Sequence, residues 1–575
     1  MKYHFPSLSR FLAVALIFPL LLNFAACGLT ESGSGTSGST QGSSSEEATT
    51  ADDSAAALDT TGTYLLSDSG EAVISDVDFT YLTETDDNYR VFYEIFVGSF
   101  SDSDGDGIGD LRGIINRMDY LNDGDPESGE SLGVEGIWLT PIFKSPSYHK
   151  YDVADYYEID EDFGTMEDLQ ELIDLCHERG VKIIIDLPIN HTSTSNSMYT
   201  SFVLAHRQED TESEYYDFYS YYTEGETAPA GKTYSAIAGT DIYYECNFST
   251  DMPELNFDNE AVREEVVNIA SFYLEMGIDG FRFDAAKYIY YDDNAASAEF
   301  WTWYMDELKA IDPDIYTVAE VWDSDAVTDQ YYGALNCFNF TTSQATGLIA
   351  EAAKAGNVNS YTSYVESYLD KILSLNADAM MVPFIANHDT DRAAGYLTVA
   401  SGRMMMAANL YILNTGSPFI YYGEEIGMRG SRGGSNTDAN RRLAMLWGDG
   451  DTVEDPEGTD YDSENQVDSS VAAQLGDGSA LYNYYKRLIM IRQANPEIAR
   501  GEYHALSLDD KMGGFTATWN GSTVCVLHNT TTRSISVDLS ELGDFTYIAA
   551  SIGVENAEID GTTLTVGGQT SVVLR

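Results

Sequence analysis

From about residue 88 onward, short apolar segments rich in β-branched and aromatic residues alternate with stretches of helical periodicity, and this alternation leaves the chain few architectures. The segments are Arg90–Val97, Gly136–Leu139, Val181–Asp186, Gly280–Asp284, Tyr316–Val321, Cys337–Phe340, Met380–Ile385 and Pro418–Tyr422. Strands separated by helices pair in parallel, and eight such units close into a barrel. One helix is plain in the pattern: Met166, Leu169, Leu172, Ile173 and Cys176 recur at three- and four-residue steps behind a Thr165/Asp168 capping box, with Gly180 as the stop. The expected fold class is α/β, a (β/α)8 TIM barrel spanning 81–190 and 257–500. The stretch 191–256, rich in Tyr and acids, is too long for an ordinary βα loop and is expected to be a small inserted domain after the third strand. Over 501–575 alternating segments such as Phe515–Trp519 and Thr523–His528 predict a C-terminal antiparallel β-sandwich.

The amino-terminal residues read differently. Lys2 and Arg10 precede an apolar run, Phe11–Phe24, too short to span a bilayer as a helix. It ends in Phe24-Ala-Ala-Cys27-Gly28, which resembles the lipobox of bacterial lipoproteins with Phe24 in place of the usual Leu. Residues 1–27 are therefore read as a signal peptide ending at a lipidated Cys27, the alternative being an ordinary secretory signal. Residues 28–80, which open on a run of Gly, Ser, Thr and acidic residues, are read as a flexible tether. The implied location is the extracellular face of the cell membrane, with the lipid as the only membrane contact.

A formal charge of -64, from 30 Lys and Arg against 94 Asp and Glu, repels nucleic acid and anionic lipid head groups, so a neutral partner or a cation is expected. Four cysteines follow Cys27, namely Cys176, Cys246, Cys337 and Cys525, without the spacing of a disulfide framework, and are read as unpaired core residues.

Reactive groups of such barrels stand at the carboxyl ends of the strands. Here the third segment runs into Asp186-Leu-Pro-Ile-Asn190-His191, the fourth into Arg282-Phe-Asp284-Ala-Ala-Lys287, the fifth into Glu320-Val-Trp322 and the seventh into Asn387-His388-Asp389. In these motifs and their order, the chain resembles glycoside hydrolase family 13, the α-amylase family, over roughly Asn88 to Trp447. The resemblance implies Asp284 as nucleophile, Glu320 as general acid and then base, and Asp389 as the residue that holds the distorted sugar. Glycoside cleavage needs such acids because its transition state is oxocarbenium-like and its leaving group a poor alkoxide. The same resemblance places Tyr151, His149, His191, Arg282, Lys287, His388 and Arg392 against the substrate, with Tyr151 offering its ring to the sugar.

After the first strand, Asp102-Ser-Asp104-Gly-Asp106-Gly-Ile108-Gly-Asp110 sets carboxylates at alternate positions, a spacing suited to Ca²⁺. An EF-hand is excluded, since Gly113 stands where its bidentate Glu belongs. The run resembles the first-loop metal site of some family members, with Asp102, Asp104, Asp106, Asp110 and the Ile108 carbonyl as ligands. Tyr288 stands where many α-amylases have His, which argues against a second Ca²⁺ at Asn190. The leading expectation is a monomeric retaining α-amylase acting on malto-oligosaccharides and soluble starch. An exo-acting α-glucosidase, an oligo-1,6-glucosidase or a transglycosylase would use the same acids, and a non-catalytic glucan-binding lipoprotein is the reading from another class.

Overall fold

The computed structural model describes residues 87–575 apart from 127, 357, 435–436, 463–464, 507 and 509–511. The signal peptide ending at Cys27 and the tether over 28–80 lie outside the described residues. No helix among the described residues is long and apolar enough to cross a membrane.

Seven parallel strands form the central sheet: β1 Phe92–Ile95, β2 Gly136–Leu139, β3 Lys182–Leu187, β4 Gly280–Phe283, β5 Tyr316–Ala319, β6 Asn336–Cys337 and β7 Phe419–Tyr421. Their order is β6-β5-β4-β3-β2-β1-β7. The expected strand at Met380–Ile385 is an extended segment joined to its neighbours at two isolated parallel bridges, Phe338 with Val382 and Phe384 with Phe419. These bridges connect β6 to β7 and close the barrel. Pro383 has no N–H to give a ladder, so the segment mainly accepts: Asn339 N–H reaches Val382 O at 3.0 Å and Phe419 N–H reaches Pro383 O at 3.0 Å.

The barrel interior is filled by Phe92, Trp138, Ile184, Tyr316, Val318, Phe338, Val382, Phe384 and Phe419, all buried. Gly280 (φ +156°) lets β4 and β5 pair, because a side chain there would strike the Tyr316 carbonyl. Outside the ring, the helix Met166–Glu178 forms as its sequence predicts. Thr165 and Asp168 cap it reciprocally, Leu169, Leu172, Ile173 and Cys176 face inward, and Gly180 adopts φ +70° just past its end.

Between β3 and β4 the chain forms a helix, Ser197–Gln208, and a three-stranded antiparallel sheet of Tyr221–Thr223, Ile242–Glu245 and Tyr234–Ala236. Its abundant tyrosines supply its core, with Tyr199 edge-on to both Tyr219 and Tyr244 at 5.3 Å. At the carboxyl end a five-stranded antiparallel sheet and a three-stranded one enclose Met512, Cys525, Leu527, Leu564, Val572 and Leu574. Cys176, Cys246, Cys337 and Cys525 are free and buried, as their spacing suggests.

Candidate active site

Arg282 organises the carboxyl ends of the strands. It lies inside β4, fully buried, and its Nη1 donates to Asp186 Oδ1 at 2.9 Å and to Asp284 Oδ1 at 2.6 Å, while Nη2 donates to Glu320 Oε2 at 2.8 Å. A guanidinium has donors enough, in a rigid fork, to hold carboxylates from β3, β4 and β5 together. Its face is covered by Trp138, 5.3 Å away. Ala285, just after Asp284, takes a left-handed conformation (φ +49°), and its N–H reaches Glu320 Oε2 at 3.2 Å. A non-glycine residue in that region is strained, and here the turn carries the chain away behind the Asp284 carboxylate.

Asp389 joins this group from the loop after the Met380–Ile385 segment. It is paired with His388 Nε2 at 3.0 Å and with Arg442 Nη2 at 2.8 Å. His388 is fully buried, and its Nδ1 lies 2.6 Å from Glu94 Oε1. The Tyr151 hydroxyl lies 2.7 Å from His388 Nε2 and donates to Asp186 Oδ2 at 2.8 Å, and its ring stacks on His388 at 5.5 Å.

This packing separates the protonation states of the acids. Burial raises Glu320 to about 7, opposed by Arg282 and reinforced by the charges of Asp284 and Asp389. Asp284 rises to about 6, burial and Asp186 outweighing Arg282. Asp389 goes the other way: burial pushes it up, but His388 and Arg442 hold it well below the usual carboxylate range. The centre thus has one acid that keeps its proton near neutrality, one poised close by, and one held as an anion, the arrangement that assigns acid and base roles by environment.

The remaining expected residues are spread around this centre. His149 accepts the Tyr151 N–H at 3.1 Å, and burial with the nearby Arg442 lowers it to about 4. His191 is buried with no protein partner on either ring nitrogen, lies 5.2 Å from the Phe248 ring, and is lowered to about 4 by burial. Lys287 sits at the rim, donating to Trp322 O at 2.9 Å and Asp323 Oδ2 at 3.0 Å. Arg392 is turned away from the carboxylates: it donates to the backbone carbonyls of Tyr422 and Arg441 and stacks over the Tyr421 ring at 4.2 Å. Its surroundings are those of a residue that fixes the chain beneath the site.

Sequence reasoning left Glu94 and Arg442 without a role. A charged residue within the apolar strand Phe92-Tyr-Glu94-Ile95 was the available signal for the first, since Glu is rarely buried unpaired. Arg442 comes from a loop after β7, and nothing in its local sequence points to Asp389. A cavity of ≈710 Å³ lies beside the three carboxylates rather than over them, bounded by Phe96, Tyr148, Lys150, Asp162 and the 454–457 segment. Tyr148 links the two, as its hydroxyl accepts from Arg442 Nη1 at 3.1 Å.

In the acidic turn, Asp102, Asp104 and Asp106 bring one carboxylate oxygen each to within 4.8 Å of one another. Gly105 (φ +89°) and Gly107 (φ +94°) curl the backbone so that this is possible. Three hard oxygen donors on one turn suit a hard cation. Asp110 stands outside the group: it caps the helix Leu111–Asn116, accepting from Gly113 N–H at 2.6 Å and Ser103 N–H at 2.8 Å.

The family described as "Alpha amylase, catalytic domain" matches residues 94–501. Alpha-amylase 3 of Dictyoglomus thermophilum is 37% identical over 425 residues, covering 73% of this chain and 80% of that protein. An oligo-1,6-glucosidase of Bacillus cereus is 28% identical, covering 82% and 96% respectively. Among solved structures, Eubacterium rectale Amy13B superposes with a TM-score of 0.77 at 34% identity, covering 85% of this chain and 95% of that one.

Proposed function

Because the chain belongs to the α-amylase family, glycoside hydrolase family 13, we propose that it is a retaining α-amylase that cleaves α-1,4-glucosidic bonds in starch and malto-oligosaccharides. The observation that carries this reading is the division of Arg282 between Asp284 and Glu320, which sets the two carboxyl groups one guanidinium apart. That closeness suits a retaining enzyme, in which about 5–5.5 Å separates the pair, better than an inverting one, which needs room for a water between them.

In the first step an Asp284 oxygen attacks the anomeric carbon as Glu320 gives its proton to the departing glycosidic oxygen. In the second, Glu320 takes a proton from water, whose oxygen displaces Asp284 and returns the anomeric configuration. Arg282 keeps Asp284 available as an anion despite its burial. Asp389, held ionised by His388 and Arg442, accepts from sugar hydroxyls and favours the distorted ring. Tyr151, stacked on His388, presents an aromatic edge and hydroxyl to the same sugar.

Asp102, Asp104 and Asp106 would hold Ca²⁺, whose charge offsets their repulsion and stiffens the turn after β1. Lipidation at Cys27 and attachment outside the cell membrane complete the proposal, on the sequence of residues 1–27.

The likeness to the Bacillus cereus oligo-1,6-glucosidase favours one second reading, that same activity. Purified protein lacking residues 1–27 separates the two. Maltose and maltotriose appearing early from maltoheptaose, with isomaltose untouched, support the α-amylase, whereas glucose released from isomaltose overturns it.

A further inference from the structure

Two buried carboxyls stand where the inserted domain meets the barrel. Glu245 ends the middle strand of the inserted sheet, Ile242–Glu245, and Glu254 lies on the segment that returns toward β4; both are almost completely buried. Asn247 ties them side by side: its N–H donates to Glu254 Oε1 at 2.9 Å and its Nδ2 to Glu245 Oε1 at 2.7 Å. Among the described residues, the cation in contact with the pair is Lys232, whose Nζ lies 2.9 Å from Glu245 Oε2. Tyr234, Cys246 and Tyr291 also feel the pair. Burial first, with the charge of the pair among the further causes, raises all three, so they stay neutral near pH 7.

Main-chain bonds make this place a joint. On the inserted side, Glu254 N–H reaches Glu245 O and Ser220 N–H reaches Glu254 O, both at 3.0 Å. On the barrel side, Leu255 N–H reaches Asn190 O at 3.0 Å, Thr192 N–H reaches Pro253 O at 3.1 Å, and Glu254 is bridged to His191. The segment that carries Glu254 therefore grips both the inserted sheet and the loop that presents His191, a residue expected against the substrate.

Two carboxyls this close, away from water and met by one ammonium, ionise together only at a large electrostatic and desolvation cost. We propose that Glu245 and Glu254 are a positioning pair that shares one proton, and that this proton closes the joint seating His191 and the inserted domain on the barrel. Its loss sets two anions against one asparagine, and the segment parts from its neighbours in a local opening rather than a global one. The pair takes no part in glycoside cleavage, so its test is independent of the retaining-hydrolase reading.

Burial, then the Glu245 charge, pushes Glu254 up to about 8, whereas an opened joint returns it to the ordinary glutamate value of about 4.3. Between those limits the closed joint binds more protons than the open one. The stabilisation is therefore complete below about pH 4.3 and is lost as pH rises through about 8.

Native-state hydrogen exchange of the purified protein from pH 5 to pH 8, corrected for the intrinsic pH dependence of amide exchange, reads this directly. Protection of the Thr192, Ser220, Glu254 and Leu255 amides should fall by up to about tenfold per pH unit, the effect of one proton, while the β2 amides of Gly136–Leu139 change less. Glu254→Gln keeps an acceptor for the Asn247 N–H and supplies a permanent donor toward Glu245, so the joint amides should hold near their acid level throughout. Glu245→Gln removes the charge that helps to raise Glu254, and protection should level off at a lower pH than in wild type. Joint protection independent of pH, a fall no steeper than that of β2, or a Glu254→Gln variant that falls in parallel with wild type overturns the proposal.

Discussion

His388 stands between two carboxylates, its Nδ1 2.6 Å from Glu94 Oε1 and its Nε2 3.0 Å from Asp389 Oδ2. Burial alone would drive the ring neutral, but Asp389 and Glu94 overcome it and raise the histidine to about 10. With His388 raised to about 10 the ring is an imidazolium at neutral pH, so both nitrogens donate, one inward to Glu94 on the strand and one to Asp389. Because the folded value lies above the ordinary histidine value, this contribution to stability is complete below about pH 6.5 and is lost as pH rises through about 10.

Glu94→Gln should therefore act on pH dependence more than on the fold. The variant loses one of the two charges that hold the proton on His388, and a charged hydrogen bond worth about 1.5–3 kcal/mol. Thermal unfolding measured from pH 6 to pH 9 should show the variant less stable than wild type at the acid end and the gap narrowing as pH rises, because wild type goes on losing the His388 contribution up to about pH 10. Parallel curves over that range would show that Glu94 does not set the charge of His388.

The acids predict a narrow bell for kcat/KM on maltoheptaose. Asp284 must be ionised, which sets an acid limb near its value of about 6, and Glu320 must keep its proton, which sets an alkaline limb near about 7. These limbs belong to the pair as a unit. Asp389→Asn should lower activity by roughly a hundredfold or more. It should also move the alkaline limb of the residual activity to lower pH, because the Asp389 charge helps to keep Glu320 protonated. A limb shifted upward would contradict that electrostatic assignment.

Removing the shared cation leaves three acids facing one another. Arg282→Met should cost about 3–5 kcal/mol in denaturant unfolding at pH 7.5, as for any buried ion pair stripped of one partner. Part of that loss should return at pH 5, where Asp186 and Asp284, already raised to about 6 with the arginine present, accept protons. A loss independent of pH would mean that the lost packing of the side chain against Trp138 dominates.

For the acidic turn the expected readout is the melting temperature. Ca²⁺ at a hundredfold excess over its dissociation constant should stabilise the folded chain by about 2.7 kcal/mol. A chelator should reverse the shift, and Asp104→Ala should abolish most of it. Asp110→Ala should destabilise even without Ca²⁺, by about 1 kcal/mol, the usual value of a lost helix cap.

The sequence announces the barrel because strands buried on both faces must read as short apolar runs, and here seven of the eight such runs became strands. Met380–Ile385 has the same composition, yet Pro383 removes a donor in its middle, so its strand character survives only as bridges. Asp284, Glu320 and Asp389 were visible from their positions at the ends of such runs, and the structure brings all three to one place. Their partners were harder to see. Arg442 meets Asp389 across 53 residues of chain, and no periodicity encodes a contact of that kind. Arg392 illustrates the converse: a position three residues from Asp389 looks like part of the site until packing turns the guanidinium onto Tyr421 and Tyr422. The acidic run looked uniform in sequence, and only the start of a helix at Leu111 distinguishes Asp110 from Asp102, Asp104 and Asp106.

The stretch from Met380 to Ile385 is the seam of the barrel, stitched to each neighbouring strand by one bridge where the other staves share full ladders. A ring under thermal stress parts where its backbone bonding is thinnest. Three and four residues beyond that seam the chain carries His388 and Asp389, so any gaping there takes Asp389 out of register with the other acids while the remaining staves stay paired. On heating, activity should therefore vanish before the circular-dichroism signal of the barrel does, the six-residue stitch giving way ahead of the core.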